Sequence, residues 1–252
     1  MKKIFYIYFI FLGLTLYSVA ATRGDVMIME ASEDIRFLSQ KIVKNYLFLY
    51  KNPQKRELKE ELTKSLDVLS DKFRMIATTT KDGDTKDVLE FLAYSKDQIA
   101  LIFGEKLNEE QSALMLDYSE TLLEGADSIA SGHSYDVSEE EKMLMTIKKM
   151  EYLLERITKY YMAVNAGFKT TTNKEQMKDS IHEFEESLAK VNLYDYPYAL
   201  AKERSKVNNL WKMNKVFFDK SNKLFIPNLL VNSVLYLENI MDKIALYHSK
   251  NQ

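Results

Sequence analysis

The chain has 252 residues, 46% hydrophobic and 29% charged, with 7 Gly, 3 Pro and no Cys. Scarce glycine and proline exclude a turn-rich β-sandwich or propeller and a Gly-rich phosphate loop, and the apolar content excludes wholesale disorder. A formal charge of −2 gives no general attraction to nucleic acid or anionic membrane, and zero cysteine excludes thiol catalysis, disulfides, Cys-ligated metals and c-type haem.

Residues 1–21 read as a secretory signal. Lys2 and Lys3 precede an apolar run from Ile4 to Tyr17, and the small residues Ser18, Ala20 and Ala21 place cleavage after Ala20 or Ala21. The alternative is an uncleaved anchor, since about 20 apolar residues span a bilayer and this run is slightly short. Export without cysteine suits a bacterial periplasm.

From there apolar residues recur at spacings of three and four, the signature of amphipathic helices. A first helix is expected from Val26 to Lys51, ending before Asn52-Pro53. A second carries Leu62, Leu66, Leu69, Phe73 and Ile76, followed by a loop over Thr78–Asp84. A third spans Thr85 to Phe103, and a fourth runs from Asn108 to Ser131, stopped by Gly132. Ser138-Glu139-Glu140-Glu141 is a capping box opening a fifth, with the seam Met143, Ile147, Met150, Leu154, Ile157, Tyr161 and Val164, and Gly167 is its stop. A sixth carries Met177, Ile181, Phe184, Leu188 and Val191; a seventh runs from Tyr198 to Lys220. Pro227 opens the eighth.

One ungapped shift of 115 residues lays Leu62, Leu66, Leu69, Phe73 and Ile76 on Met177, Ile181, Phe184, Leu188 and Val191. It also lays Lys41-Ile42 on Arg156-Ile157, Lys44 on Lys159 and Tyr46 on Tyr161. The fold class expected is therefore all-α: tandem antiparallel four-helix bundles, 23–132 and 138–252, related by internal duplication. Chance register between two amphipathic helices is the competing explanation.

Catalytic equipment is sparse. His182 follows Asp179 without the second Glu-x-x-His segment of a di-iron bundle, His133 lies in a Gly-Ser-rich turn and His248 in the terminal tail. All three are expected to face solvent, and neither a metal nor a cofactor is expected. Glu139–Glu141 and Glu183–Glu186 read as helix starts and solvated faces. Tyr194, Tyr196 and Tyr198 read as packing residues, with a Tyr-lined pocket near Pro197 as the alternative. No Ser has His and carboxylate partners in a recognisable motif, so no enzyme is expected.

The first helix has a polar interruption. Relative to the fifth, Ser32 and Ser39 replace the apolar seam residues Ile147 and Leu154, and Arg36 lies between them on the same face, with Gln40 one turn beyond. A guanidinium flanked by hydroxyls can hold a small oxyanion. The competing arrangement pairs Arg36 with Glu33 and uses the serines to fill a tight helix contact.

Arg36-Phe37-Leu38-Ser39-Gln40-Lys41-Ile42-Val43-Lys44 resembles the first-helix signature of PilJ-type domains, the sensor regions of type IV pilus chemotaxis transducers, which are related to NarX-like nitrate/nitrite sensors. Tyr152–Tyr161 is a weaker second match. The resemblance implies an exported helical-bundle sensor in which Arg36 contacts an oxyanion such as nitrate or nitrite; with the side chains that spacing and the motif put beside it, the candidate ligand-binding residues are Arg36, Ser32, Ser39, Gln40 and Lys41. The expected partners are a separate membrane-bound sensor or chemoreceptor and a second copy of the chain, and the net charge argues against nucleic acid. Three departures stand against the transfer: Glu33 and Asp34 precede the motif, Lys41 replaces the second family arginine, and Glu151 occupies the Arg36 position of the second copy. The alternative is a structural or protein-interaction module without a small ligand.

Overall fold

The computed structural model describes residues 23–105, 107–221 and 225–251; the signal segment lies outside them. Eight helices fill the described residues: α1 (Arg23–Lys51), α2 (Arg56–Thr79), α3 (Gly83–Gly104), α4 (Glu109–Gly132), α5 (Glu139–Ala166), α6 (Thr171–Leu193), α7 (Tyr198–Asp219) and α8 (Pro227–Lys250). There is no strand among the described residues, and none of the described helices is long and apolar enough to cross a membrane. The molecule is all-α.

Local chemistry sets the boundaries. At the start of α5 the Glu141 N–H donates to Ser138 Oγ at 3.2 Å, and the Ser138 N–H donates to Glu141 Oε2 at 2.7 Å. This reciprocal cap satisfies two orphan donors of the first turn. Gly167 ends α5 at φ +117°, where a side chain would be strained. Asp82, Asn108 and Thr170 cap α3, α4 and α6 by accepting from the backbone N–H three residues on.

α1 and α5 lie against each other along the middle of the molecule. α2 and α4 flank α1, α6 and α8 flank α5, and the outer helices α3 and α7 rest on α4 and α8. The order of neighbours is thus the same in both halves. Their apolar side chains merge into one core to which all eight helices contribute, so the halves share an interior across the α1–α5 seam. Residues 115 apart are buried alike: Ile42 and Ile157, Leu69 and Phe184, Tyr46 and Tyr161 are each fully enclosed. α1 and α5 are covered on nearly every side, and Lys44 and Lys159 are as buried as their aliphatic neighbours.

Candidate functional site

The sequence-predicted residues occupy one stretch of α1. Ser32 and Ser39 are fully buried; Ser32 Oγ donates to the Ile28 carbonyl at 2.8 Å and Ser39 Oγ to the Arg36 carbonyl at 2.7 Å. Both hydroxyls are turned back on their own helix. Gln40 Nε2 donates to Ser39 Oγ at 3.0 Å and to the Ser119 carbonyl of α4 at 3.3 Å. Arg36 Nε pairs with Asp127 of α4 at 2.5 Å, and its Nη1 pairs with Glu33. Burial works against the Arg36 charge, but Glu33 and Asp127 more than offset it and hold its pKa above the ordinary value. Lys41 turns the other way and pairs with Glu61 of α2 at 3.0 Å. The five residues do not converge on a cavity, and two carboxylates occupy the directions an oxyanion would need. This is the competing arrangement foreseen for Arg36.

The histidines correct one expectation. His182 is exposed, but His248 is fully buried and the His133 side chain nearly so. His133 Nδ1 lies 3.0 Å from Asp25 Oδ1 and its Nε2 lies 3.0 Å from Thr85 Oγ1. His248 Nδ1 lies 2.5 Å from Glu140 Oε2 and its Nε2 lies 2.8 Å from the Tyr196 hydroxyl. A neutral ring protonated at Nδ1 satisfies all four contacts, donating to the carboxylate and accepting from the hydroxyl. His248 is not in a free tail: the last turn of α8 packs it against the rings of Tyr194, Tyr196 and Tyr247. Asp25 and Glu140, like His133 and His248, are 115 residues apart. The offset read from apolar stripes therefore extends to these polar pairs, which is the signal that would have found them. Thr85 and Tyr196 are themselves buried, so each histidine ties the start of a half to its end.

The interior between α1, α5 and α8 is more unusual. Lys44 Nζ meets Glu155 Oε1 at 2.7 Å, both side chains sealed from solvent. One turn along α5, Lys148 Nζ lies 3.2 Å from Glu151 Oε2. α8 brings two more carboxyls into this layer, Asp242 against Glu151 and Glu238 against Glu155. Two carboxyl–carboxyl pairs are thus stacked one helical turn apart. Glu151 Oε1, Glu155 Oε2 and Glu238 Oε1 receive no N–H or alcohol donor; the partner within reach is the facing carboxyl, Asp242 for Glu151 and Glu155 for Glu238. Burial pushes the Glu151 carboxyl up to about 8; Lys148 pulls it down and Asp242 pushes it further up. Burial and then Glu155 drive Glu238 well above the carboxylate range, against Lys44 and Lys41. Burial likewise lifts Glu33 to about 7, with Arg36 opposing.

Two cavities of about 310 Å³ each open onto this layer and share Asp34, Lys148 and Asp242. One continues past Glu30 and Glu33 toward Leu246, the other past Phe37 toward Glu238. The two adjoin at these residues along the seam between the halves and make up the trough. Across α1 the mirrored position is filled: Lys159 Nζ donates to Ser119 Oγ at 2.9 Å and pairs with Glu120 at 2.5 Å, which also receives Arg156. A groove of about 750 Å³ lined by Tyr135, Leu193 and Tyr194 lies at the Pro197 end. The acids of the trough escaped the sequence reading because Asp242 and Glu238 reach Glu151 and Glu155 from another helix, a pairing that spacing along α5 does not show. Among the described residues no group of acidic or histidine side chains is arranged to hold a metal ion. Comparison with protein-family models, with curated proteins and with solved structures finds no match to the chain.

Proposed function

We propose that this protein is an exported, non-catalytic helical-bundle sensor. It binds a small ligand in the trough between α1, α5 and α8 and passes the result to a separate membrane partner. The observation that carries the reading is the set of buried carboxyls, Glu151, Glu155 and Glu238, gathered beside a cavity at the seam between the halves. A bundle kept only for rigidity would be as stable or more stable with apolar side chains there. Carboxyls crowded together out of water are costly, and a bound group that pairs with them would offset that cost. A ligand bridging α1, α5 and α8 would bias the packing of α1 on α5, and helix shifts of about 1–2 Å at such an interface are enough to signal.

The resemblance to PilJ-type and NarX-like sensors, the periplasmic location and the internal duplication belong to the same proposal. The paired His–carboxylate clamps and the shared order of helix neighbours support the duplication. An oxyanion at Arg36 does not belong to it, because Glu33 and Asp127 already neutralise the guanidinium. The second reading, a protein-interaction module without a small ligand, is favoured by the closed interior around Ser32 and Ser39. Thermal melting of the purified chain against a panel of small cations, anions and neutral solutes separates the two. The sensor reading expects one class to raise the melting temperature in a saturable way and to alter a label-to-label distance between α1 and α5. A panel that leaves both unchanged favours the interaction module.

A further inference from the structure

We propose that the outer helices α3 and α7 carry the two sides of a self-association contact, in which the outward face of α3 docks on the outward face of α7 in a second copy of this chain.

The two helices are equivalent in position. They span Gly83–Gly104 and Tyr198–Asp219, 115 residues apart. Leu92 with Val207 and Ile99 with Asn214 are buried pairs at that offset, so the same side of each helix is turned outward. α1 and α5 run parallel, since Glu30 lies near Glu141 while Lys44 pairs with Glu155 further along. The halves are therefore related by rotation about the α1–α5 seam. α3 rests on α4 and α2 at one edge, and α7 rests on α8 and α6 at the other. Their outward faces point in opposite directions, which is what side-by-side addition of copies needs.

The buried positions match, but the exposed ones carry opposite charge. At the same offset Asp87 answers to Lys202 and Asp97 to Lys212, all four exposed. α3 adds Asp84 and Glu90, and α7 adds Lys206. The adjoining helices extend the contrast: α3 and α4 carry ten Asp or Glu and two Lys, whereas α7 and α8 carry seven Lys or Arg and four Asp or Glu. Within α4, Glu120 and Asp127 are answered from α5 and α1. Asp84, Asp87, Glu90 and Lys212 have no ion-pair partner among the described residues, and Lys206 has only Glu203 of its own helix. Two α3 faces, or two α7 faces, would repel each other; an α3 face and an α7 face attract.

Apolar side chains complete both faces. Phe91, Tyr94 and Leu101 on α3, and Met213 and Val216 on α7, are 45–62% exposed. Laid parallel at equal heights, the helices bring Asp87 and Glu90 level with Lys202 and Lys206, Asp97 with Lys212, and Leu101 with Val216. The strip from Asp84 to Leu101 is about 27 Å long and one helix wide. That is less than the roughly 800 Å² per partner of a standard interface, so the association is weak and reversible. Because unlike faces meet, each added copy leaves one α3 and one α7 face free, and assembly continues past a pair.

Sedimentation of the purified chain between about 0.01 and about 1 mM tests this, first at about 0.02 M salt, where screening is weak. The mean mass should rise with concentration past that of two chains, and association should be at least about tenfold weaker at about 0.5 M salt. Asp87→Lys with Glu90→Lys, and Lys202→Glu with Lys206→Glu, should each remain monomeric alone while melting like the parent, since all four positions are exposed. Mixed in equal amounts, the two variants should associate again, because each keeps the face that the other has lost. A parent chain still monomeric at the highest concentration would overturn the proposal. So would association that salt does not weaken, a variant of either face that still self-associates like the parent, or a mixture that stays monomeric.

Discussion

Lys44 and Glu155 illustrate how a residue's environment, rather than its type, sets its contribution. The pair is sealed from solvent with its charges 2.7 Å apart, and desolvation offsets much of the attraction. Removing one partner strands the other: Lys44→Met alone should destabilise the fold by about 3–5 kcal/mol in urea denaturation, whereas Lys44→Met with Glu155→Leu should be near neutral or stabilising. The shift of 115 already matched Lys44 with Lys159, but an amphipathic pattern assigns lysine to the wet face, and only packing of α1 on α5 puts it inside. Arg36 shows the converse. Spacing placed it beside Ser32 and Ser39, which was correct, yet spacing along one helix cannot show that Asp127 arrives from α4 to take the guanidinium. His248 was missed because the rings that enclose it come from the α6–α7 connection and the acid from the start of α5.

At the scale of the element, the stop and start signals were legible because they are local. Ser138 with Glu141, and Gly167, act within one turn of their own position, and the helices they bound match the expected ones within a few residues. α3 starts at Gly83 rather than Thr85, since Asp82 caps a turn that had been given to the loop, and α1 is already helical at Arg23, where the described residues begin. Helix pairing depends on contacts no single helix encodes. Gly125 lets α4 approach α3 so closely that a Cβ there would run into Leu92. The His133 and His248 clamps likewise hold α1 to α4 and α5 to α8. His133→Ala and His248→Ala should each lower stability by about 1–3 kcal/mol, since each removes one hydrogen bond to a carboxylate and one to a hydroxyl. His182→Ala, at an exposed position, should melt like the parent.

For the whole molecule, the buried acids predict an unusual pH profile. The carboxyls of Glu33 and Glu151 are lifted to about 7 and about 8 from an ordinary 4.5. Between those values the folded chain binds more protons than the unfolded one, so stability falls as pH rises from about 4.5 to about 8. Glu61 and Glu120 are shifted the other way: burial opposes their charge, but Lys41 holds the first and Lys159 and Arg156 the second below the usual range. The stability they contribute is lost as pH falls below about 4.5. Lys159 is brought down from 10.5 to about 8 by burial, against Glu120, so its penalty is full below about 8 and is relieved toward 10.5. Melting temperature against pH should therefore peak near pH 5 and sink toward pH 8; a profile flat from 5 to 8 would contradict the raised carboxyls.

The sequence by itself determined the all-α class, the eight helices and the apolar stripe that faces inward along each. These follow from periodicity and from caps that act over three or four positions, where the backbone's own geometry decides the outcome. Only the tertiary structure decided which helix faces which, and hence that α1 and α5 share one core, that Arg36 is neutralised, and that carboxyls of α5 and α8 confront one another beside a cavity. The physical reason is that pairing energies, desolvation and proton affinity depend on groups brought together from positions roughly ninety residues apart, and helical periodicity carries no information about them.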